Sequence, residues 1–176
     1  MPCTPSQLLA HLDALGIRVT TVEHPPVATV EANKALRGTL PGGHTKNLFL
    51  KDKKGGLWLV VALEDRVVDL KDLRSRLAAP PLSFARPEVL RDKLGVEPGA
   101  VTPFAVINDD PPRVQVVLDA GMLALDPLNF HPLVNTRTTA IAAADLVRFL
   151  EATGHPPLTV DFDSAAPAPS AATARP

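Results

Sequence analysis

Two apolar runs on either side of a lysine- and glycine-rich turn constrain the fold of this chain most. Residues 47–50 read NLFL and residues 57–62 read LWLVVA, with KDKKGG between them. Short apolar runs bounded by turn residues are typical of strands, and a glycine-containing turn between two of them predicts a β-hairpin. A polar triplet, Thr45-Lys46-Asn47, lies at the start of the first strand and requires an explanation.

Helix signals alternate with further strand candidates along the chain. Thr4-Pro5-Ser6-Gln7 has the form of a capping box, Asp69 is a second N-cap, and Pro87 can begin another helix. We predict shorter helices at 29–38 and 145–153, and strands at 17–22, 104–107, 114–118, 123–125, 138–142 and 158–162. The strands at 104–107 and 114–118 flank NDDPP and predict a second hairpin. Hairpins separated by helices indicate an α/β (α+β) fold with a mixed, largely antiparallel sheet surrounded by helices.

Length and charge bound the number of domains and the type of partner. The 176 residues fit one domain, which we place at 1–163, followed by an Ala/Pro-rich tail at 164–176 that we expect to be disordered. The formal net charge of −1 provides no general attraction to nucleic acid, so such a partner needs a local basic patch. Lys34 and Arg37 together with the turn lysines are candidates for a basic rim.

Several classes of site find no support in the sequence. Cys3 is the only cysteine and the histidines lack metal-ligand spacing, so we predict no metal and no cofactor. Dinucleotide, P-loop and nucleophile-elbow glycine motifs are absent. The first residues do not form a secretory signal and no apolar run reaches 18 residues, so we expect a cytoplasmic protein without a membrane partner.

Three polar features are candidates for chemistry, and each has a simpler structural explanation. Lys46 can bind a phosphate or a carbonyl oxygen, or can be a solvated lysine that protects a strand from aggregation. The loop 99–103, GAVTP, can bring main chain close to a ligand, or can merely connect a helix to a strand. His131 can donate to a ligand or transfer a proton, or can be a packed turn histidine. Considered singly, these features leave both explanations open.

Four stretches in order give the sequence a family resemblance. TKNLFLKDKKG, VDLKDLRSRL, LSFARPEVLRDKLGVEPGAVTPFAVIND and FHPLVNT together resemble the free-standing prolyl-tRNA editing proteins of the YbaK-like superfamily, and among them the alanine-directed type. The superfamily also includes the editing domain inserted in bacterial prolyl-tRNA synthetases. The resemblance implies hydrolysis of the aminoacyl ester of mischarged tRNA(Pro), with alanine as the expected amino acid.

The resemblance also implies which residues form the site. Lys46 matches the functional lysine of the family, Gly99 begins its G-x-x-x-P loop, and His131 matches a histidine of the aminoacyl pocket. Asn47 is expected to be a further pocket residue or a residue that positions the backbone, and the loop is completed by the substrate-binding positions Ala100, Val101, Thr102 and Pro103. In this family the ribose 2′-hydroxyl is thought to assist the attacking water, which explains the absence of a catalytic triad. We expect Lys46 to anchor the terminal adenosine or its phosphate rather than to act as the base.

Partners and selectivity follow from the same resemblance. The acceptor end of tRNA(Pro) is the expected ligand, with a prolyl-tRNA synthetase or an elongation factor as a further partner, and the protein is expected to be a monomer. Because alanine is smaller than proline, the pocket must exclude proline by size. Two alternatives stay open: specificity for Cys-tRNA(Pro) or Ser-tRNA(Pro), and a non-catalytic module that binds aminoacyl-tRNA or an amino acid.

Overall fold

A computed structural model describes residues 1–26, 35 and 40–165. The strands are β1 (Val19–Glu23), β2 (Gly43–Asp52), β3 (Leu57–Leu63), β4 (Leu82–Phe84), β5 (Val114–Asp119), β6 (Leu128–Phe130), β7 (Arg137–Ile141) and β8 (Leu158–Val160). The α-helices are α1 (Pro5–Ala14), α2 (Leu70–Leu77), α3 (Pro87–Leu94), α4 (Ala120–Leu123) and α5 (Ala143–Ala152), with 3₁₀ segments at Pro98–Ala100 and Pro103–Asn108. The predicted basic residues Lys34 and Arg37, the predicted helix at 29–38 except Ala35, and the tail beyond residue 165 lie outside the described residues.

One sheet contains all eight strands in the order β1-β7-β6-β2-β3-β5-β8, with β4 paired to β2. Four of its pairs are antiparallel (β1–β7, β6–β7, β2–β3 and β2–β4), and three are parallel (β2–β6, β3–β5 and β5–β8). The prediction of a mixed, largely antiparallel sheet with helices around it is confirmed.

The β2–β3 hairpin forms as predicted, and Asp52 holds its turn. Its Oδ1 accepts the main-chain N–H groups of Lys54 and Gly56 at 2.8 and 2.9 Å, and its Oδ2 accepts the indole N–H of Trp58 at 3.0 Å. A Cβ atom at Gly56 would lie 2.3 Å from Asp52 Oδ2, so glycine is required at this close approach.

The sheet separates two apolar cores, and β2 contributes to both. Phe49 packs in the larger core with residues of α1, α3 and α5, whereas Leu50 packs in a smaller core against Leu73 of α2. Because successive strand residues point to opposite faces, the odd-numbered residues of β2 face the larger core and the even-numbered residues face the smaller one.

Two strand predictions are wrong. Residues 103–108 form a 3₁₀ helix, because Pro103 suits its first position and the Thr102 hydroxyl accepts the N–H of Phe104 at 3.3 Å. The second hairpin therefore does not exist, and β5 pairs in parallel with β3 and β8. The predicted strand at 123–125 is replaced by the end of α4, whose N-cap is Asp119.

The predicted helix caps agree with the structure. Thr4 forms the capping box with Gln7, Asp69 accepts two N–H groups at the start of α2, and Pro87 begins α3. None of the described helices is both long and apolar enough to cross a membrane.

Candidate functional site

A break in the pairing of β2 lies at the polar triplet. On one edge, β2 pairs with β3 from Thr45 to Lys51. On the other edge it pairs with β6 at its first two residues and with β4 at its last three, and the described residues supply no partner strand to Asn47 between them. The carbonyl of Phe49 accepts the N–H of Ala85 at 3.0 Å on this second edge. Because main-chain directions repeat every second residue, the N–H and C=O groups of Asn47 also point into the break.

A cavity of about 220 Å³ opens at this break. Its lining is mainly apolar and consists of Asn47, Leu48, Phe49, Phe84, Ala85, Pro87, Leu90, Pro98 and Val101. The side-chain Oδ1 of Asn47 is buried and has no hydrogen-bond partner within the described part of the chain. A buried acceptor without a partner costs about 1–3 kcal/mol, so a ligand that donates a hydrogen bond to this oxygen gains that energy.

The G-x-x-x-P loop contributes to this cavity unevenly. Val101 is half-buried and lines the cavity, so the structure brings it together with Asn47. Gly99 is exposed, and a Cβ atom there would meet only Asn135 Nδ2 at an ordinary 3.5 Å. The other three residues of the loop are buried and do not line this cavity: Ala100, Thr102 and Pro103.

Lys46 points away from this cavity. It pairs with Ala62 and faces the smaller core, opposite to Asn47, and its ammonium donates a hydrogen bond to the main-chain oxygen of Arg66. Arg66 lies in the wall of a second cavity of about 670 Å³, at the end of β3. The other lining residues of this second cavity are Gly42, Gly43, His44, Leu63, Glu64, Asp65 and Leu125. Lys46 is therefore attached to the wall of the second cavity.

His131 directly follows β6 and lies at the same end of the parallel β2–β6 pair as Lys46. His44 pairs with Asn129, and Lys46 and His131 each lie two residues further along their parallel strands. His131 Nδ1 is 2.9 Å from the carbonyl oxygen of Arg137. A carbonyl can only accept, so Nδ1 carries the proton and Nε2 of the neutral ring is an acceptor.

Burial lowers the pKa of His131. Removal of the ring from water is the largest cause, the hydrogen bond to Arg137 opposes it, and the nearby His24, with ring centroids 6.1 Å apart, lowers the pKa further. The neutral imidazole is thus favoured at neutral pH, which is the form that can accept a proton.

We expect acid to weaken the protein partly through this histidine. In the unfolded chain His131 titrates near its ordinary pKa of 6.5, so below that pH the unfolded state binds a proton that the folded state still excludes. The stabilisation is present above about pH 6.5 and is lost as the pH falls through the lowered pKa of the folded state. Urea unfolding of wild type and His131→Asn from pH 8 to pH 5 measures it; the variant should lose less stability on acidification.

An NMR titration of the His131 ring provides a direct check. His24→Asn should leave most of the depression of the pKa in place, because burial and not the neighbouring ring is its main cause. A His131 ring that titrates at 6.5 or above in the folded protein would contradict this account.

The sequence analysis missed two residues around these cavities. Phe84 is 60% exposed at the rim of the smaller cavity, and three-residue strands such as β4 have no distinct sequence pattern. Arg66 was missed because its partners Asp119 and Asp163 are 53 and 97 residues away in the chain. No cluster of three or more metal-ligating side chains occurs among the residues that the structure describes.

Comparisons with known proteins agree on one family. The profile of the aminoacyl-tRNA editing domain family matches residues 24–149. A Xenopus laevis protein named "Prolyl-tRNA synthetase associated domain-containing protein 1" is 44% identical over 162 residues, covering 89% of this chain and 96% of that one. The "Prolyl-tRNA editing protein ProX" of Acetoanaerobium sticklandii is 37% identical over 149 residues, covering 84% of this chain and 91% of that one.

A solved structure shares the fold. The crystal structure of a candidate trans-editing enzyme for prolyl tRNA synthetase superimposes with a TM-score of 0.69 at 21% identity, covering 89% of this chain and 95% of that one. The profile match and the extended similarity to the two relatives show that this chain belongs to the aminoacyl-tRNA editing domain family, of the YbaK-like superfamily.

Proposed function

We propose that this protein is a trans-editing deacylase that hydrolyses mischarged tRNA(Pro), with Ala-tRNA(Pro) as its main substrate. The observation that carries the proposal is the small, mainly apolar cavity at the break in β2; it is lined by Asn47, whose buried Oδ1 has no hydrogen-bond partner among the described residues. Family membership and the name of the ProX relative support the reaction type.

The polar groups around the break suit ester hydrolysis. The aminoacyl side chain would enter the apolar cavity, and its α-ammonium would donate to Asn47 Oδ1. The main-chain N–H of Asn47 would stabilise the carbonyl oxygen as negative charge develops on it. Water adds to the carbonyl carbon with assistance from the ribose 2′-hydroxyl, and the ester C–O bond breaks as the ribose oxygen gains a proton. Neutral His131, through Nε2, would accept the proton that the attacking water loses and return it to the ribose oxygen as the ester bond breaks.

Lys46 would anchor the acceptor end rather than act as a base. In the free protein its ammonium donates one hydrogen bond to a main-chain oxygen, and its other N–H groups would donate to an incoming phosphate. The RNA would approach over exposed Phe84 and Arg86, with the turn lysines Lys51, Lys53 and Lys54 also exposed. A cytoplasmic monomer that meets tRNA(Pro) alone, or with a synthetase or an elongation factor, is part of this proposal.

The reaction is tested with purified protein and four substrates: Ala-tRNA(Pro), Cys-tRNA(Pro), Ser-tRNA(Pro) and cognate Pro-tRNA(Pro). We expect fastest loss of the alanyl ester and negligible loss of the prolyl ester. Fastest loss of the cysteinyl or seryl ester would assign a different specificity. No turnover of any mischarged tRNA would refute the deacylase and favour a non-catalytic binding module.

Val101 should set the size limit of the cavity. Replacing Val101 by alanine removes two methyl groups from the lining, so the larger prolyl group should gain access. Discrimination by such small differences in apolar volume is worth about 10- to 200-fold, and we expect the alanyl-to-prolyl rate ratio to fall by about 10-fold. The ratio is measured in the same assay.

Leu158→Ala is the control for this change, because Leu158 is 44% exposed on β8 and lines neither cavity. Its alanyl-to-prolyl ratio should equal that of wild type. If Val101→Ala folds and keeps the wild-type ratio, size selection by this loop is wrong.

A further inference from the structure

The main-chain oxygen that holds Lys46 belongs to a segment without regular secondary structure. Arg66 lies between β3 and α2, and its main-chain N–H donates a turn hydrogen bond to Leu63 O at 3.0 Å. Among the residues that the structure describes, no strand pairs with Arg66 to set the position of its carbonyl. The position of the Lys46 ammonium therefore depends on how the Arg66 side chain is anchored.

Two carboxylates anchor that side chain. Buried Asp119 accepts Arg66 Nε at 3.0 Å and Nη2 at 3.1 Å, which is a bidentate pair. Asp163 accepts Nη1 at 2.6 Å and Nη2 at 3.3 Å. The hydrogen bond to Asp163 is the largest cause that raises the pKa of the guanidinium, and the hydrogen bond to Asp119 is the second, so Arg66 stays charged.

Residues 161–164, here called the C-terminal clasp, complete the anchor. The ring of Phe162 contacts two guanidinium groups, with its centroid 5.6 Å from Arg66 Cζ and 5.8 Å from Arg76 Cζ. Arg76, on α2, donates to the main-chain oxygens of Asp161 and Ser164, each at 2.8 Å. The clasp is thus hydrogen-bonded to α2 through Arg76, and it contacts the Arg66 guanidinium through Phe162 and Asp163.

We propose that the C-terminal clasp positions Lys46 for editing, through Arg66. The clasp does not touch substrate. It fixes Arg66, and Arg66 holds the Lys46 ammonium at the end of the β2–β6 pair where His131 also lies. Loosening the clasp frees that ammonium. The catalytic part of this inference rests on the proposed function, whereas its effect on Lys46 is independent of any reaction.

Lysine reactivity provides the test that does not need a substrate. Reductive methylation of the full chain with formaldehyde and a borohydride, followed by peptide mass spectrometry, gives the rate for Lys46 relative to exposed Lys51 in the same molecule. Loss of one hydrogen bond changes an equilibrium constant by about 2- to 10-fold. The methylation rate of Lys46 should therefore rise by about 2- to 10-fold in Phe162→Ala and Asp163→Asn. Phe162→Tyr keeps the ring and should restore the wild-type rate.

Asp145→Asn is the matched control. It removes a carboxylate from another arginine pair, Arg148 Nη1 to Asp145 Oδ1 at 2.8 Å on α5, which has no contact with Arg66 among the described residues. Its Lys46 rate should equal that of wild type. Asp163 is 71% exposed, so Asp163→Asn should fold even if Phe162→Ala does not.

The kinetic readout follows the same variants. On Ala-tRNA(Pro), the two clasp variants should lose about 2- to 10-fold in kcat with little change in KM, since they disturb positioning and not substrate contacts. Folded clasp variants with wild-type Lys46 reactivity would overturn the inference. If wild type hydrolyses nothing, the proposed function fails while the methylation result still decides whether the clasp holds Lys46.

Discussion

Replacing Lys46 by alanine should lower kcat/KM for Ala-tRNA(Pro) by about 10²-fold or more, because misplacing a substrate at the reacting centre costs that much. Lys46 is half-buried, and its ammonium is held at the wall of the second cavity by the main-chain oxygen of Arg66. Lys46→Arg should not restore the rate, since the planar guanidinium has a different shape and donor geometry from the ammonium. Single-turnover deacylation of radiolabelled substrate measures both variants.

Lys51 and Lys53 provide matched controls on the same hairpin. Both are exposed, and neither forms an ion pair within the described residues. Alanine at either position should change kcat/KM less than about fivefold, the size of one surface charge contact, which is worth at most about 1 kcal/mol. If Lys46→Ala behaves like Lys51→Ala, Lys46 is a solvated lysine on a strand and not part of the site.

Replacing Asp119 by alanine should lower the free energy of unfolding by about 3–5 kcal/mol, the usual cost of leaving one partner of a buried ion pair unpaired. The Asp119 side chain is 0% exposed. Its carboxylate accepts the main-chain N–H of Leu63 at 3.1 Å and of Gly121 at 2.9 Å, in addition to the Arg66 guanidinium. All these donors would lose their acceptor together.

Urea unfolding and thermal scans measure this loss. For a chain of this size each kcal/mol shifts Tm by about 2–4 °C, so the transition of Asp119→Ala should move down by about 10 °C. Asp163→Ala removes the exposed carboxylate on the same arginine and should shift the transition far less. Equal shifts in the two variants would show that burial of Asp119 does not determine its contribution.

Local signals predicted the parts of the fold that depend on neighbouring residues. The capping box at Thr4, the cap at Asp69 and the hairpin of β2 and β3 are each specified by residues within a few positions of one another. The second hairpin was wrong because residues 103–108 form a 3₁₀ helix, and because Asp109 at its end is fixed partly at long range, with its Oδ2 2.8 Å from His155 Nε2.

Like the fold, the candidate site was predictable from the sequence only in part. Val101 and Asn47, which the family resemblance assigned to the same site, line one cavity. That Lys46 and Asn47 face opposite sides also follows from the period of a strand, although the sequence analysis did not draw that conclusion. The bond from Lys46 to Arg66 has no sequence signal, because it joins a side chain to a main-chain oxygen. The roles of the site residues remain predictions until the variants are measured.

The parallel pairing of β2 with β6 affects how the protein matures during synthesis. Thr45 and Asn129, whose hydroxyl and carbonyl oxygens lie 3.0 Å apart, are separated by 84 residues in the chain. Contacts between such distant residues form late, after a large loss of chain entropy. A nascent chain that has emerged only as far as β5 would have the hairpin with Lys46 but not the strand that leads to His131. The proposed editing activity should therefore appear only after the ribosome has released the β6 segment.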